Sequence, residues 1–536
     1  MNKFAPACRS LGLLALVSLT ACGGGGGQTP PPPPPPASFL VTVTPDSGGT
    51  VTPATQSVVM GHTASITLTA YSGYAIGSVE TGVPTADGII DACDGSLQGS
   101  VYTTAVISGP CAVSVYFTNT PTSSPITTTR VSVASDGTQA NGDSGDPVMS
   151  SDGRYVAFWS IASNLVAGDT NGYADIFVRD RQLGVTTRVS VASDGAQSDG
   201  ISTRPAISGD GRYVTFVSAA SNLVSGDTNG VADLFVHDCL AGTTQRVSMA
   251  FDGSQANADS DDSAMTADGR YIAFTSYASN LVANDTNGGW DIFVFDQTTH
   301  ATARVSVSSA GAEAMIVGEG SFRPSISSDG RYVAFESGAT NLVAAPNNGA
   351  IGAYVHDRST GTTLCISPDP VDPLYPCMGL APAISSDGRY VAYATNTFDR
   401  LAGDPLVLGY NIFVFDQTTA ALTRASLTWR NEADAGTSLL PAISADGSAI
   451  AFSSSSSGLV DGDRNGGNDI FIRDMMNQVT GRASLPSGRG ESFGTGADAE
   501  RPALSGDGRR VAYASAATTL VPADTNQAHD IFVSEW

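Results

Sequence analysis

The chain has 536 residues, a formal net charge of −25 and 41% hydrophobic residues. That length exceeds one ordinary core, the apolar content excludes disorder throughout, and the acidic balance excludes a nucleic-acid backbone as partner, since binding there needs Lys and Arg against phosphates. Lys3 is the only lysine, so the remaining strongly basic side chains are arginines, which hold planar bidentate pairs better than lysine does.

At the N-terminus, Lys3 and Arg9 precede LGLLALVSL (11–19), an apolar run too short to span a bilayer and ended by LTAC (19–22). Residues 1–21 read as a signal peptide. LTAC resembles the lipobox of bacterial lipoproteins, which implies cleavage before Cys22, lipidation of its thiol and acylation of the new amino group. An ordinary secretory signal with a chance cysteine is the alternative. The Gly and Pro-rich stretch 22–38 reads as a tether that holds a domain off a membrane. On the same resemblance, Gly23 after the cysteine implies outer-membrane sorting, with the chain periplasmic or surface-exposed.

Residues 39–120 contain alternating strands such as FLVTVTP, ASITLTAY and CAVSVYFTN between turn clusters, the pattern of a small β domain. GGTVTP (48–53) and GHTASITLTAYSGYAI (61–76) resemble divergent internalin-type B-repeat modules of bacterial surface proteins. The resemblance implies a spacer or an adhesive module. It weakens at GSVETG (77–82), where such modules often carry a Trp. In an oxidising compartment the cysteines suggest the pairs Cys93 with Cys111 and Cys365 with Cys377, leaving Cys239 as a quiet, part-buried thiol.

From 126 onward the chain repeats itself, which points to blades or solenoid coils. RVSVAS at 130 and 188, RVSMAF at 246, RVSVSS at 304, CISPDP at 365, RASLTW at 424 and RASLPS at 482 recur at spacings of 58, 58, 58, 61, 59 and 58. Each period holds a short strand (PAIS, 205–208), a GDG turn, a strand (RYVTFVS), a long loop, a strand (DLFVHD) and a strand (TTQRVSV). Four strands make a propeller blade. The seventh copy stops at Trp536 after three strands, and TTTRVSV (127–133) stands unpaired before the first, so the N-terminal strand is expected to close the last blade. The expected fold is all-β: a seven-bladed β-propeller of four-stranded blades over 121–536, preceded by the small β domain. SxDGRYVAF with DIFVxD resembles TolB-like, or WD-like, β-propeller repeats from 126 to 536. Related propellers serve as docking platforms, peptidase gates and lyases, so the resemblance implies a fold and no single activity.

The turns between first and second strands are short and built on Asp-Gly, as hairpins require. Long loops such as SAASNLVSGDTNGVAD (218–233) and ASDGTQANGDSGDP (134–147) gather on the opposite face, which is expected to be strongly acidic. There DTNGYAD sets Asp169, Asn171 and Asp175 at positions 1, 3 and 7 of a Gly-containing loop, a spacing that suits a hard cation such as Ca²⁺. Asp227, Asn229 and Asp233 repeat it, as do Asp285, Asn287 and Asp291, then Asp463, Asn465 and Asp469, and finally Asp524, Asn526 and Asp530. The fourth blade has Pro346, Asn348 and Gly352, and the fifth has Asp404 with one extra residue before Asn411. The same residues also suit Asx-turns with a last Asp that accepts backbone N–H groups, and the bidentate Glu of an EF-hand loop is missing. Both readings stand on the sequence. Asp180, Asp238 and Asp296 read as formers of the turn between third and fourth strands.

There is no G-x-S-x-G elbow and no room after the propeller for a hydrolase domain. Of the five histidines, His237 and His356 share one strand position and read as ordinary strand residues, while His62, His300 and His529 are scattered. No carboxylate pair stands out as acid and base. The expectation is a monomeric, exported and lipid-anchored protein without catalysis, whose acidic loop face meets a protein or a glycan. A Ca²⁺-dependent surface adhesin and a propeller-type polysaccharide lyase are the alternatives.

Overall fold

The computed structural model describes residues 36–45, 49–70, 74–81, 84–85, 88–89, 95–119, 126–344, 347–368, 377–396, 409–434, 436–460, 463–487 and 499–536. The expected signal peptide, the lipidated Cys22, most of the tether and Cys93 with its pairing to Cys111 lie outside them. Among the described residues no helix is long and apolar enough to cross a membrane. The chain divides into two compact units, Met1–Thr120 and Pro121–Trp536.

In the first unit, Ser38–Pro45 runs parallel to Cys111–Asn119 and antiparallel to Thr55–Val59, in a four-stranded sheet completed by Tyr74–Thr81. A second four-stranded sheet joins Gly49–Thr52, Ser65–Ala70, Val101–Thr104 and Gly95–Gln98. Alternate residues point the same way along a strand, so Val41 and Val43, Ile66 and Leu68, and Val113, Val115 and Phe117 all enter one core.

Among the described residues the second unit holds seven four-stranded antiparallel sheets, each a blade. The first contains Ser144–Met149, Tyr155–Ser160, Asp175–Asp180 and Val185–Arg188, in that spatial order. In the seventh, Ala499–Leu504, Arg510–Ser515 and Asp530–Glu535 are completed by Thr127–Arg130, which pairs with the chain's last strand from Thr127 opposite Glu535 to Arg130 opposite Phe532. This is the expected closure, and it removes an exposed strand edge. The innermost strands of successive blades touch one another, and the seventh returns to the first.

Each blade buries an aromatic pair between its second and third strands, from Phe158 against Phe177 at 6.0 Å in the first to Tyr513 against Phe532 at 5.9 Å in the seventh. These rings are fully buried and form the wedge of each blade. The Asp-Gly turns bond one to the next: Ser151 N–H donates to Gly209 O, Gly209 N–H to Ala267 O, and Gly506 N–H to Ser151 O, at 2.8–2.9 Å. The repeated SxDGRY words are therefore structural. Ser150 Oγ bonds Asp152 and accepts the Tyr155 N–H, while a Cβ on Gly211 of the next turn would strike the Tyr155 ring at 2.2 Å.

Candidate functional site at the channel mouth

The five DTNGxxD-type loops bring their residues together as the sequence suggested, but around an arginine. Arg188, first residue of the RVS marker, sets Nη1 3.0 Å from Asp169 and 3.1 Å from Asp175. Arg246 binds Asp227 and Asp233 at 3.3 and 3.1 Å, and Arg304 binds Asp285 and Asp291 at 2.8 and 3.4 Å. Arg482 does so with Asp463 and Asp469 at 2.8 and 3.2 Å, and Arg130 with Asp524 and Asp530 at 3.4 and 3.5 Å. The serine of each marker donates to the second aspartate, as Ser190 does to Asp175.

The asparagines act as turn formers. Asn171 Nδ2 donates to Asp175 at 2.9 Å, and its Oδ1 accepts the Tyr173 N–H at 3.2 Å; Asn229, Asn287, Asn465 and Asn526 do the same in their loops. A hard cation needs several converging oxygens. Here a guanidinium lies between the carboxylates and an amide NH₂ faces them, so this donor set does not fit Ca²⁺. Among the described residues no group of three or more His, Cys, Asp or Glu could hold a metal ion. Asp175, Asp233, Asp291, Asp469 and Asp530 are wholly buried, so these positions add far less free charge to the loop face than their number suggests. Burial pushes Asp285 and Asp530 up to about 6, against the pull of Arg304 and Arg130.

Asp180 accepts the Gln182 and Leu183 N–H groups, as a turn former should, and also takes a bidentate pair from Arg154. Arg212 with Asp238 and Arg270 with Asp296 repeat the arrangement. His237 and His356 are buried strand residues, each with Nδ1 2.9 Å from a threonine hydroxyl, and burial lowers both below the ordinary value. Cys239 is exposed at the turn after Asp238, which corrects the expected part-buried thiol.

The fourth blade replaces the clamp. Cys365 stands at the arginine position and forms a disulfide with Cys377, and a Cβ on Gly352, at the aspartate position, would lie 2.7 Å from Cys377 Sγ. In the fifth blade Arg424 persists, Asn411 stands for the second aspartate, and Asp404 lies outside the described residues.

Sequence reasoning missed the central channel. Its wall is a ring of inner-strand residues, Asp146, Arg204, Asp262, Arg323, Ala381, Leu440 and Arg501, around a cavity of about 350 Å³. At each of these positions the inner strand shifts register against its neighbour. All but Asp262 have φ between 47° and 54°, and all but Asp262 precede a proline. Backbone held in this left-handed region costs roughly 1–3 kcal/mol per residue and clusters at ligand sites. The recurring X-Pro at one place in six repeats was the available signal.

The ring's charges are unevenly matched. Arg501 meets Asp146 at 2.9 Å, and Arg204 meets Asp261 and Asp262 at 2.9 and 2.8 Å. Arg323 meets Glu336 at 3.7 Å, and that carboxylate also accepts the Ala381 N–H at 2.7 Å. The Arg323 side chain is 44% exposed.

No family model matches the chain, and no curated protein matches it in sequence. Among solved structures it is similar to TolB from Acinetobacter baumannii, at 14% identity and a TM-score of 0.35 over 63% of this chain and 62% of that one, so it spans less than two thirds of that protein. It is similar to oligogalacturonate lyase from Vibrio parahaemolyticus at 11% identity and a TM-score of 0.45, over 77% of this chain and 97% of that one. The β-propeller domain of the Trilobed protease from Pyrococcus furiosus gives 12% and 0.44, over 74% and 94%. The blades described above, rather than these distant likenesses, define the fold: the chain is an all-β protein whose second unit is a β-propeller of four-stranded blades.

Proposed function

We propose that the chain is an exported, lipid-anchored binding protein without catalysis, which takes its ligand at the loop-face mouth of the propeller channel. The carrying observation is the division of charge. The DTNGxxD-type aspartates are consumed in buried clamps, whereas Asp146, Arg204, Asp262, Arg323 and Arg501 line the channel cavity. The Asp-Gly turns are laced together at the other end, which leaves the loop face as the open approach. A cavity of about 350 Å³ is of small-molecule size, suited to a small ligand or the end of a longer chain.

The test offers acidic saccharides and acidic peptides to the full chain, with calorimetry for binding and product analysis for turnover. Saturable binding that weakens when Arg204, Arg323 and Arg501 are together changed to Gln supports the reading. Shortened or unsaturated products, or binding indifferent to the triple change, overturn it.

A further inference from the structure

One sector of the ring departs from the other blades. Tyr277 stands where the first two blades have Ile161 and Ala219, Trp290 where they have Ala174 and Ala232, and Phe322 where they have Gly145 and Thr203. The three rings form a row at the junction of the third and fourth blades, with Tyr277 5.5 Å from Trp290 and Trp290 5.9 Å from Phe322. Tyr277 is 46% exposed at the loop-face end of its strand. The residue after Phe322 is Arg323, the channel arginine with the longest carboxylate contact.

We propose that this sector binds an acidic saccharide, its carboxylate on Arg323 and a sugar ring face on the Tyr277 and Trp290 row. The inference rests on the channel-mouth reading above and names its ligand class. Arginine offers a planar fork that matches a carboxylate, and aromatic faces give a large apolar surface to a ring that lies flat on them. An extended acidic peptide is the rival occupant. It would dock by adding a strand to the inner edge, and that mode needs backbone N–H donors. Pro324 removes the donor beside Arg323, as Pro147, Pro205, Pro382, Pro441 and Pro502 do round the ring. Recognition is left to side chains, which favours the saccharide.

The experiment uses the full chain and calorimetry with three probes: a uronic acid tetrasaccharide, its methyl ester, and a poly-glutamate peptide. The acid tetrasaccharide is expected to bind. Esterification and Arg323→Gln should each weaken it about tenfold, the size of one charge-assisted hydrogen bond lost, and the variant should not weaken the ester further. Tyr277→Ala should also weaken it about tenfold while Tyr277→Phe retains binding, with thermal melts as the control for folding. Equal affinity for acid and ester, unchanged binding by both Arg323→Gln and Tyr277→Ala, or binding of the peptide alone overturns the inference. If Arg204→Gln or Arg501→Gln weakens binding and Arg323→Gln does not, the channel-mouth reading stands and this sector assignment falls.

Discussion

Cys365 occupies in the fourth blade the place that Arg188 holds in the first: each lies on the outer strand opposite the blade's buried third-strand ring, Tyr354 in one and Phe177 in the other. A covalent link thus stands where other blades use charge. Gly352 makes room for it, since an aspartate there would overlap Cys377. A disulfide closing a loop of this size contributes about 3 kcal/mol, chiefly through the unfolded chain. Cys365→Ser with Cys377→Ser is expected to lose about that much. A reductant should speed hydrogen exchange in 347–368 and leave the other blades unchanged; uniform acceleration, or none, would count against this local role.

The arginine clamps hold the long loops to the outer strands. Arg246 is 5% exposed between Asp227 and Asp233, so Arg246→Met leaves two buried carboxylates without their cation. Removing one partner of a buried pair costs about 3–5 kcal/mol. Melting of the variant should fall accordingly. Chelator should leave the wild-type melt in place, because the guanidinium already supplies the positive charge; Ca²⁺ bound in several equivalents, with a lower melting temperature in chelator, would reverse this account of the loops.

The blades and their closure were legible because a strand marker recurred at nearly constant spacing and the last copy lacked one strand. The chemistry of the DTNGxxD loops was only half legible. Asp175 and the arginine that neutralises it are 13 residues apart, on different strands, and nothing within the loop shows that the outer strand folds back over it. The joint change of Gly352 and Cys365 in one blade was the visible hint. The channel ring was hidden for another reason: the register shift in each inner strand, with a left-handed residue in six of the seven, breaks the two-residue alternation from which facing is read.

Asp285 and Asp530 give the fold an unusual acid response. Both are raised from 3.8 to about 6 by burial, so the folded state binds their protons more tightly than the unfolded state does. Their contribution to stability is therefore greatest below the unfolded value and is lost as pH rises through about 6. Asp285 faces Asp291, Glu313 and Arg304, and Asp530 faces Asp524, Arg130, Ser132 and Asn526. Asp296 works in the opposite sense: Arg270 lowers it to about 2, so its contribution is lost as pH falls from 3.8 through about 2. Asp285→Asn and Asp530→Asn should each flatten the dependence of melting temperature on pH between about 4 and 6. An unchanged slope in both variants would mean that other groups set it.

The closure strand joins the two ends of the propeller through more than backbone pairing. Thr128 Oγ1 donates to Leu485 O of the sixth blade and lies 2.9 Å from Ser534 Oγ of the seventh, while Arg130 neutralises Asp524 and Asp530. A fragment that begins at residue 131 loses all of these contacts. It exposes the edge of Asp530–Glu535 and leaves two buried aspartates without their arginine. An exposed strand edge is a template for pairing between chains. That fragment is expected to melt well below a fragment that begins at 121 and to form oligomers in size-exclusion chromatography. A fragment from 131 that stays monomeric with an unchanged melt would show that the three remaining strands of the seventh blade suffice, and that the N-terminal strand is dispensable for closing the ring.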